Sequence, residues 1–275
     1  MVDYRHWWNL VSQQLLLILS MLWFAAGSAS AVDSNETDQS MPRVSIIIDD
    51  LGNNARLAHR VIALPGPITC AFLPQLPGIA KLAEAAHRSG KQVMLHLPME
   101  SMAQNPLGPG GLTMAMDKGM FMAELQRGIA SVPHVVGINN HMGSLLTQHP
   151  GHMSWLMEGL RQSDLFFLDS RTTTRTIALR IAREQGVPVA KRDVFLDHDR
   201  DEKSIRHAFK RLAKRAKTYG SAVGIGHPYP TTLRLLREIL PELEQRYGVR
   251  LVPVTQQVHY PTSVARKKAA VVEPS

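Results

Sequence analysis

Residues 44–52 read Val-Ser-Ile-Ile-Ile-Asp-Asp-Leu-Gly, a β-branched apolar run that leads directly into two adjacent carboxylates. The run is short and rich in Ile and Val, which favours a buried strand. Asp49 and Asp50 therefore stand at the carboxyl end of that strand. In parallel α/β proteins this end of the sheet carries the functional groups. The segment predicts a parallel sheet and indicates where its chemistry is expected.

Seven more apolar runs of strand length follow, separated by segments with helical spacing. The predicted strands are Val44–Ile48, Ile68–Phe72, Gln92–Leu95, Val135–Ile138, Leu165–Leu168, Val187–Ala190, Ala222–Ile225 and Arg250–Val254. The predicted helices cover residues 54–63, 78–89, 117–131, 151–162, 175–185, 203–218 and 231–246. Because parallel strands need crossover connections that are usually helical, the alternation predicts an α/β fold, a distorted (β/α) barrel of 7–8 parallel strands in a single domain. A doubly wound open sheet is the alternative.

Composition excludes several classes of protein. Of the 275 residues, 44% are hydrophobic, which supports a core and excludes disorder throughout the chain. Cys70 is the single cysteine, so neither a disulfide framework nor a four-thiolate zinc site can form within one copy. A net charge of +8 favours an anionic partner such as a nucleic acid, an acidic glycan or a membrane surface.

The N-terminal sequence predicts the compartment. Residues 15–26 are apolar, and Ala29-Ser30-Ala31 follows with the small residues of a cleavage site, which is typical of a secretory signal peptide. An uncleaved anchor is the alternative, although the run is shorter than the roughly 20 residues that span a bilayer. We expect a periplasmic or secreted protein with no stable membrane span after cleavage, which disfavours nucleic acid as a partner. The predicted segments are a signal peptide at 1–31, a polar tether at 32–42, the folded domain at 43–258 and a loose tail at 259–275.

Polar groups follow four other predicted strands at their carboxyl ends. They are His96, Asn139-Asn140-His141, Asp169-Ser170-Arg171 and His227. Strand ends converge on one face of a barrel, so residues more than a hundred positions apart can meet there. Two adjacent buried carboxylates repel each other, and a cation removes that cost. Asp50, His96 and His141 would give three protein ligands with open positions, the pattern of a catalytic site for a divalent metal such as Zn²⁺.

Asp49 and His227 are the predicted catalytic pair. Asp49 would lie beside the metal without binding it and would take a proton from the attacking water. His227 arrives from another strand, between Gly226 and Pro228, and would protonate the leaving group.

Five segments together resemble the divergent polysaccharide deacetylase family, which is related to the NodB-type carbohydrate esterases. They are residues 48–52, 94–100, 137–144, 167–170 and 224–228, and the resemblance extends over residues 43–258. It implies a distorted (β/α) barrel and metal-dependent removal of acetyl groups from N-acetylated sugars. In the wider pattern the first Asp of the pair is the base and the second is a metal ligand, which correspond here to Asp49 and Asp50. The late histidine of that pattern, which acts as an acid, corresponds to His227.

The sequence departs from the wider pattern at the second histidine ligand. Related enzymes take both histidines from one H-x-x-x-H segment, whereas the residue four positions after His96 is Glu100. Either Glu100 replaces the missing ligand, or His141 does so from the next strand. We favour His141, because Asn139-Asn140-His141 is too polar for an ordinary turn and a group from another strand closes a facial site.

Three further residues are predicted to bind substrate, namely Asn139, Asp169 and Arg171. Asp169 and Arg171 could instead orient the base or form a buried ion pair. Asp197, Asp199 and Asp201 resemble the start of a calcium loop, but residue 202 is Glu where the loop requires Gly, so a helix N-terminus explains these acids better. The basic residues of the predicted helix 203–217 indicate either a solvated outer face or a surface that docks on an anionic partner.

We therefore expect a metal-dependent deacetylase acting on a glycan of the cell envelope. A non-catalytic glycan-binding protein of the same fold is the second hypothesis. A structural envelope protein, whose strand-end groups serve only stability, is the third.

Overall fold

A computed structural model describes residues 41–261, so the predicted signal peptide, most of the tether and nearly all of the tail lie outside the described residues. The strands are β1 (Arg43–Leu51), β2 (Thr69–Phe72), β3 (Gln92–Met99), β4 (Val135–Met142), β5 (Phe166–Asp169), β6 (Val189–Lys191), β7 (Val194–Phe195), β8 (Ser221–Gly226) and β9 (Arg250–Leu251). The α-helices are α1 (Ala55–Ile62), α2 (Ile79–Arg88), α3 (Lys118–Ser131), α4 (Pro150–Gln162), α5 (Ala178–Glu184), α6 (Glu202–Tyr219) and α7 (Pro230–Ile239).

The strands form one parallel sheet in the order β6-β5-β4-β3-β2-β1-β8-β7, with β9 paired to β1. The two edge strands, β6 and β7, are consecutive in the chain. Between them, the Arg192 amide donates to the Asp169 carbonyl on β5, and the Asp193 amide donates to the Val223 carbonyl on β8. The sheet therefore curls into a barrel-like domain whose seam lies at β6 and β7, and the predicted distorted barrel is confirmed.

Alternate residues of each strand face two different apolar layers. Ile46 and Ile48 pack outward against the helices, whereas Ile47 packs inward with Met94, Leu168 and Ile225. The inward rows are apolar near the amino ends of the strands. Because side chains alternate along a strand, the next inward positions after Ile47 and Met94 are Asp49 and His96.

Some predicted bounds differ from the structure for local reasons. The last predicted helix, 231–246, ends as an α-helix at Ile239 because Pro241 lacks the amide that would continue it, and short 3₁₀ and π turns extend it to Tyr247. The predicted strand Arg250–Val254 is reduced to two residues and is followed by a 3₁₀ turn over Val254–Gln257. Two-residue β7 was not predicted, because a strand of that length has no measurable pattern.

The folded domain extends past the predicted boundary at residue 258. His259 pairs with Val189 of β6 in an antiparallel bridge, with amide-to-carbonyl distances of 2.9 and 3.1 Å. The backbone groups at the sheet edge explain this extension, because pairing satisfies them. Among residues 41–261, no helix is both long and apolar enough to span a bilayer.

Candidate active site

A backbone irregularity in β1 brings both adjacent aspartates to the same site. Neighbouring strand residues normally point to opposite faces of a sheet. The pairing of β1 with β2 shifts between Ile48 and Leu51, and Asp50 adopts a left-handed φ of 58°. Such a bulge re-aims a side chain at some cost in backbone energy. It directs Asp50 toward the same group of histidines that Asp49 faces.

Asp50, His96 and His141 form a compact triangle of ligand atoms at the carboxyl ends of β1, β3 and β4. Oδ1 of Asp50 lies 3.2 Å from His96 Nε2 and 3.0 Å from His141 Nδ1. The two histidine nitrogens are 3.0 Å apart. Ligands about 2.0–2.2 Å from one ion are roughly 3–3.5 Å from each other, so these three atoms fit a single divalent cation.

The buried amide of Asn139 determines which nitrogen of His96 is free to bind. Asn139 Nδ2 donates to Asp49 Oδ1 over 2.8 Å, which leaves its Oδ1 facing His96 Nδ1 at 2.9 Å. His96 Nδ1 therefore carries the proton, and Nε2 presents its lone pair to the triangle. Such a partner on the remote nitrogen is typical of metal-binding histidines.

The balance of burial and neighbouring groups shifts the pKa values of the two aspartates in opposite directions. Asp49 is 2% exposed, and burial raises its pKa although His96 and His227 partly oppose the rise. Burial also acts to raise the pKa of Asp50, but the imidazoles of His141 and His96 beside it outweigh burial and hold the pKa well below its ordinary value. Asp50 is thus the ionised carboxylate that a cation requires, and Asp49 has the more basic carboxylate.

His227 faces the triangle from β8 and is held by a buried carboxylate. Its Nδ1 donates to Asp197 Oδ1 over 2.8 Å, and its backbone amide donates to Asp197 Oδ2 over 2.7 Å. Its Nε2 points into the site, 3.9 Å from Asp50 Oδ2. Burial acts to lower the pKa of His227, but the hydrogen bond to Asp197 and the charges of Asp197, Asp49 and Asp50 together outweigh burial and raise the pKa. Gly226 permits this close approach, because a Cβ would lie 3.3 Å from Asp197 Oδ2 and the carboxylate would have to shift by a few tenths of an ångström.

Asp49, His96, His141 and His227 line an open cleft of about 320 Å³ at the carboxyl edge of the barrel. Around Asp49, His96, His141 and His227 its walls are neutral. They are formed by Ser101, Ala103, Asn105, Asn140, Met142, Ser144, Ser170, Thr172 and Phe195. The cleft therefore offers hydroxyl and amide groups next to the cluster of titratable side chains, which suits a polar, uncharged ligand.

Sequence comparisons identify the family of this chain. The family model described as divergent polysaccharide deacetylase matches residues 46–258, which is most of the chain. The chain belongs to the divergent polysaccharide deacetylase family. Uncharacterized protein YibQ of Escherichia coli strain K12 is 39% identical over 198 residues, which are 72% of this chain and 62% of YibQ. An uncharacterized Haemophilus influenzae protein is 34% identical over 203 residues, 74% of this chain and 72% of that protein. The chain thus spans less than two thirds of the length of YibQ.

A solved structure shows the same fold. An uncharacterized protein from Agrobacterium tumefaciens C58 superposes with a TM-score of 0.75 at 24% identity, covering 78% of this chain and 89% of that one. The barrel described above is therefore shared with a relative of low sequence identity.

In this member of the family, the structure separates the two candidates for the third ligand. His141 lies in the triangle, whereas Glu100 Oε2 accepts the Met114 amide over 2.7 Å. Glu100 thus fastens the loop after β3, and it is absent from the group of ligand atoms that the described residues bring together.

The three predicted substrate-binding residues have other positions. Asn139 is fully buried and contacts His96 and Asp49, so it positions these groups and is not exposed to substrate. Asp169 faces away from the barrel interior, because Phe166 and Leu168 take the inward positions of β5. Its carboxylate accepts the Arg171 amide and the Thr176 hydroxyl, at 2.8 and 3.0 Å, and makes no ion pair with the Arg171 guanidinium. Arg171 does not line the cleft.

Asp197 is the functional residue that the sequence analysis missed. It was grouped with Asp199 and Asp201 as part of a helix N-terminus, and only Asp201 caps α6, by accepting the Ser204 amide. Asp197 instead follows the two-residue strand β7 and is 2% exposed. The rule that polar groups at strand ends mark the site would have identified it, had β7 been recognised.

Proposed function

We propose that this protein is a metal-dependent deacetylase that hydrolyses the acetamido group of an N-acetylated polysaccharide or related glycan in the cell envelope. We further propose that it acts in the periplasm, or outside the cell, after removal of its N-terminal segment. The observation that carries the proposal is the triangle of Asp50, His96 and His141, with Asp49 and His227 beside it.

The residues fit a divalent cation on two grounds. Asp50 Oδ1 is buried and accepts no hydrogen bond from the part of the chain that the structure describes; the imidazole nitrogens of His96 and His141 face it. Since Asn139 fixes His96 with its lone pair inward, the triangle concentrates acceptors that a cation would satisfy. Two imidazoles and one carboxylate suit Zn²⁺. When bound, such an ion would polarise the acetyl carbonyl and make water more acidic.

Asp49 is positioned to remove a proton from the attacking water. Its carboxylate lines the cleft, and Asn139 holds one of its oxygens. As the water oxygen bonds to the acetyl carbon, Asp49 would accept the proton that the water loses. The raised pKa of Asp49 makes this acceptance more favourable than for an ordinary carboxylate.

His227 is positioned to complete the reaction. With its Nδ1 proton held by Asp197, its second proton lies on Nε2 and faces the cleft. As the C–N bond breaks, His227 would give this proton to the sugar nitrogen. The products are acetate and the free amine, so that one water is consumed for each bond cleaved.

The test compares two leaving groups. Wild-type protein supplied with Zn²⁺ should release acetate from N-acetylglucosamine oligomers, and His227→Ala should reduce this release strongly. An acetyl ester of a nitrophenol needs little protonation of its leaving group, so the same variant should cleave it with a much smaller loss. Equal losses on both substrates would remove the acid role from His227. No acetate release by metal-loaded wild type from any N-acetylated glycan would favour the glycan-binding hypothesis.

A further inference from the structure

Arg192 contacts two walls of the cleft from the barrel seam. It lies between β6 and β7 and is half-buried. Its Nε donates to the Ser170 carbonyl over 2.6 Å, and its Nη2 donates to the Arg171 carbonyl over 2.8 Å. The guanidinium also lies over the ring of Phe195, 3.7 Å from the ring centroid. One planar group therefore joins the loop after β5 to the strand β7.

The charge of Arg192 is not neutralised by a neighbouring carboxylate. Within residues 41–261, no carboxylate oxygen lies within 4.0 Å of its guanidinium, because Asp193 pairs with Arg215 and Asp169 bonds to an amide and a hydroxyl. Burial, together with the charge of Arg171, lowers the pKa of Arg192 to about 10. A partly desolvated cation without a counter-ion costs free energy. The contacts of Arg192 with the loop after β5 and with β7 must offset this cost.

The two carbonyl contacts lead to the proposed base. The Asn139 amide donates to the Ser170 hydroxyl over 3.3 Å and to Asp49 Oδ1 over 2.8 Å. Arg171 has a left-handed φ of 50°, a conformation that costs energy in a residue other than glycine. By holding both carbonyls, Arg192 keeps this turn in contact with Asn139 and so with the base.

The aromatic contact leads to the proposed acid. The Phe195 ring and the His227 imidazole lie nearly parallel, with their centroids 6.1 Å apart and their planes at 24°. Asp197 holds one edge of this imidazole by accepting a hydrogen bond from Nδ1. The guanidinium covers the Phe195 ring, so it limits the movement of the ring against which His227 packs. Arg192 itself does not line the cleft, so it acts on a substrate only through these neighbours.

We propose that Arg192 is a positioning residue, which orients the side chains of the base Asp49 and the acid His227 through Ser170 and Phe195. This inference rests on the proposed deacetylase function. A planar fork suits the task, because a lysine ammonium cannot bond both carbonyls and also lie flat over an aromatic ring. The effect on rate is expected to be large, since a misplacement of about 1 Å can cost roughly 10²-fold.

The test compares Arg192→Ala and Arg192→Lys with wild-type protein, all supplied with Zn²⁺. For acetate release from N-acetylglucosamine oligomers, kcat should fall roughly 10–100-fold in Arg192→Ala, because the base and the acid lose their alignment. KM should change little, because Arg192 does not touch the substrate. Arg192→Lys keeps the charge without the planar fork, so its kcat should also lie clearly below that of wild type.

The matched control is Arg215→Ala. Arg215 makes the same kinds of contact at the seam, since its Nε donates to Asp193 over 2.7 Å and its guanidinium lies over the Tyr219 ring at 4.8 Å. None of these three residues lines the cleft. This variant should lose stability in urea denaturation while kcat stays near the wild-type value.

A second measurement follows the His227 ring by NMR and does not depend on catalysis. The ring current of Phe195 shifts the resonance of the proton on His227 Cε1, which His227→Ala identifies by its absence. Arg192→Ala frees the Phe195 ring, so this resonance should move or broaden. In Arg215→Ala it should keep its wild-type position.

Four results would overturn the proposal. They are a wild-type kcat in Arg192→Ala, full recovery of kcat in Arg192→Lys, an equal loss of kcat in Arg215→Ala, and an unchanged His227 resonance in Arg192→Ala. If Arg192→Ala does not fold, Arg192→Lys provides both measurements. Absence of acetate release from the wild type would defeat the deacetylase function, whereas the His227 resonance would still test the positioning by Arg192.

Discussion

The lower and upper halves of the barrel interior differ completely in chemistry, although the same strands build both. Near the amino ends, Ile47, Met94 and Ile225 form a dry apolar layer. One inward step further along those strands stand Asp49, His96 and His227. The lower layer gains free energy from burying apolar surface, whereas the upper layer buries charged groups at a cost that their partners offset. Substitutions only two residues apart on one strand should therefore have different effects, one on stability and the other on catalysis.

The largest expected effect is on the upper layer. Asp49→Asn keeps the shape of the side chain and an acceptor for Asn139, but it cannot accept a proton from water. Because general-base catalysis typically contributes about 10²–10⁴-fold, acetate release should fall by that factor. Metal content and the midpoint of thermal unfolding should change little. Full activity in this variant would remove the base role from Asp49.

The matching substitution in the lower layer, two residues earlier, should reduce stability and leave catalysis unchanged. Ile47→Ala removes three buried carbons from the lower layer and should reduce the free energy of unfolding by about 2–5 kcal/mol, as measured by urea denaturation. The rate constant of the molecules that remain folded should stay near the wild-type value. If this variant lost turnover without losing stability, the two layers would not be separable.

A smaller effect is expected from the partner of His227. Asp197→Asn removes the negative charge that raises the pKa of His227, so this pKa should fall. The acid must be protonated to work, so the alkaline limb of the pH–rate profile should move to lower pH. The control, Asp199→Asn, changes an exposed residue two positions on and should leave the profile in place.

The raised pKa of His227 also makes the stability of the wild-type protein depend on pH. The raised pKa means that folded protein binds the His227 proton more tightly than unfolded protein does. This stabilisation is complete below the unfolded pKa of about 6.5 and is lost as pH rises through the folded value. Asp197→Asn should reduce that pH dependence, as measured by urea denaturation across the range. An unchanged dependence would show that Asp197 does not control the proton on His227.

The smallest expected effect belongs to a buried carboxylate outside the site. Asp169→Asn weakens the hydrogen bonds to the Arg171 amide and the Thr176 hydroxyl, which should cost about 1 kcal/mol of stability. Acetate release should stay close to wild type, because Asp169 faces the helix layer. A loss as large as that of Asp49→Asn would place Asp169 in the catalytic machinery.

Strand alternation explains what the sequence could and could not predict. The polar groups after Ile48, Leu95, Ile138 and Ile225 identified the site because their strands were recognised. Counting inward and outward positions along β5 would have excluded Asp169. The bulge that turns Asp50 toward Asp49 depends on the pairing of β1 with β2, which no local pattern reveals. Asp197 was missed for the same reason, since β7 exists only as a partner of β8.

The central claim is that Asp50, His96 and His141 together hold one divalent metal ion. Metal analysis of purified, zinc-supplied protein tests it most directly, with Glu100→Ala as the control, since Glu100 instead binds the Met114 amide. Wild type and Glu100→Ala should each retain about one ion per chain after dialysis, and alanine at any of the three ligands should lower retention severely. Retention by His141→Ala together with loss in Glu100→Ala, or no ion in wild type, would contradict the claim.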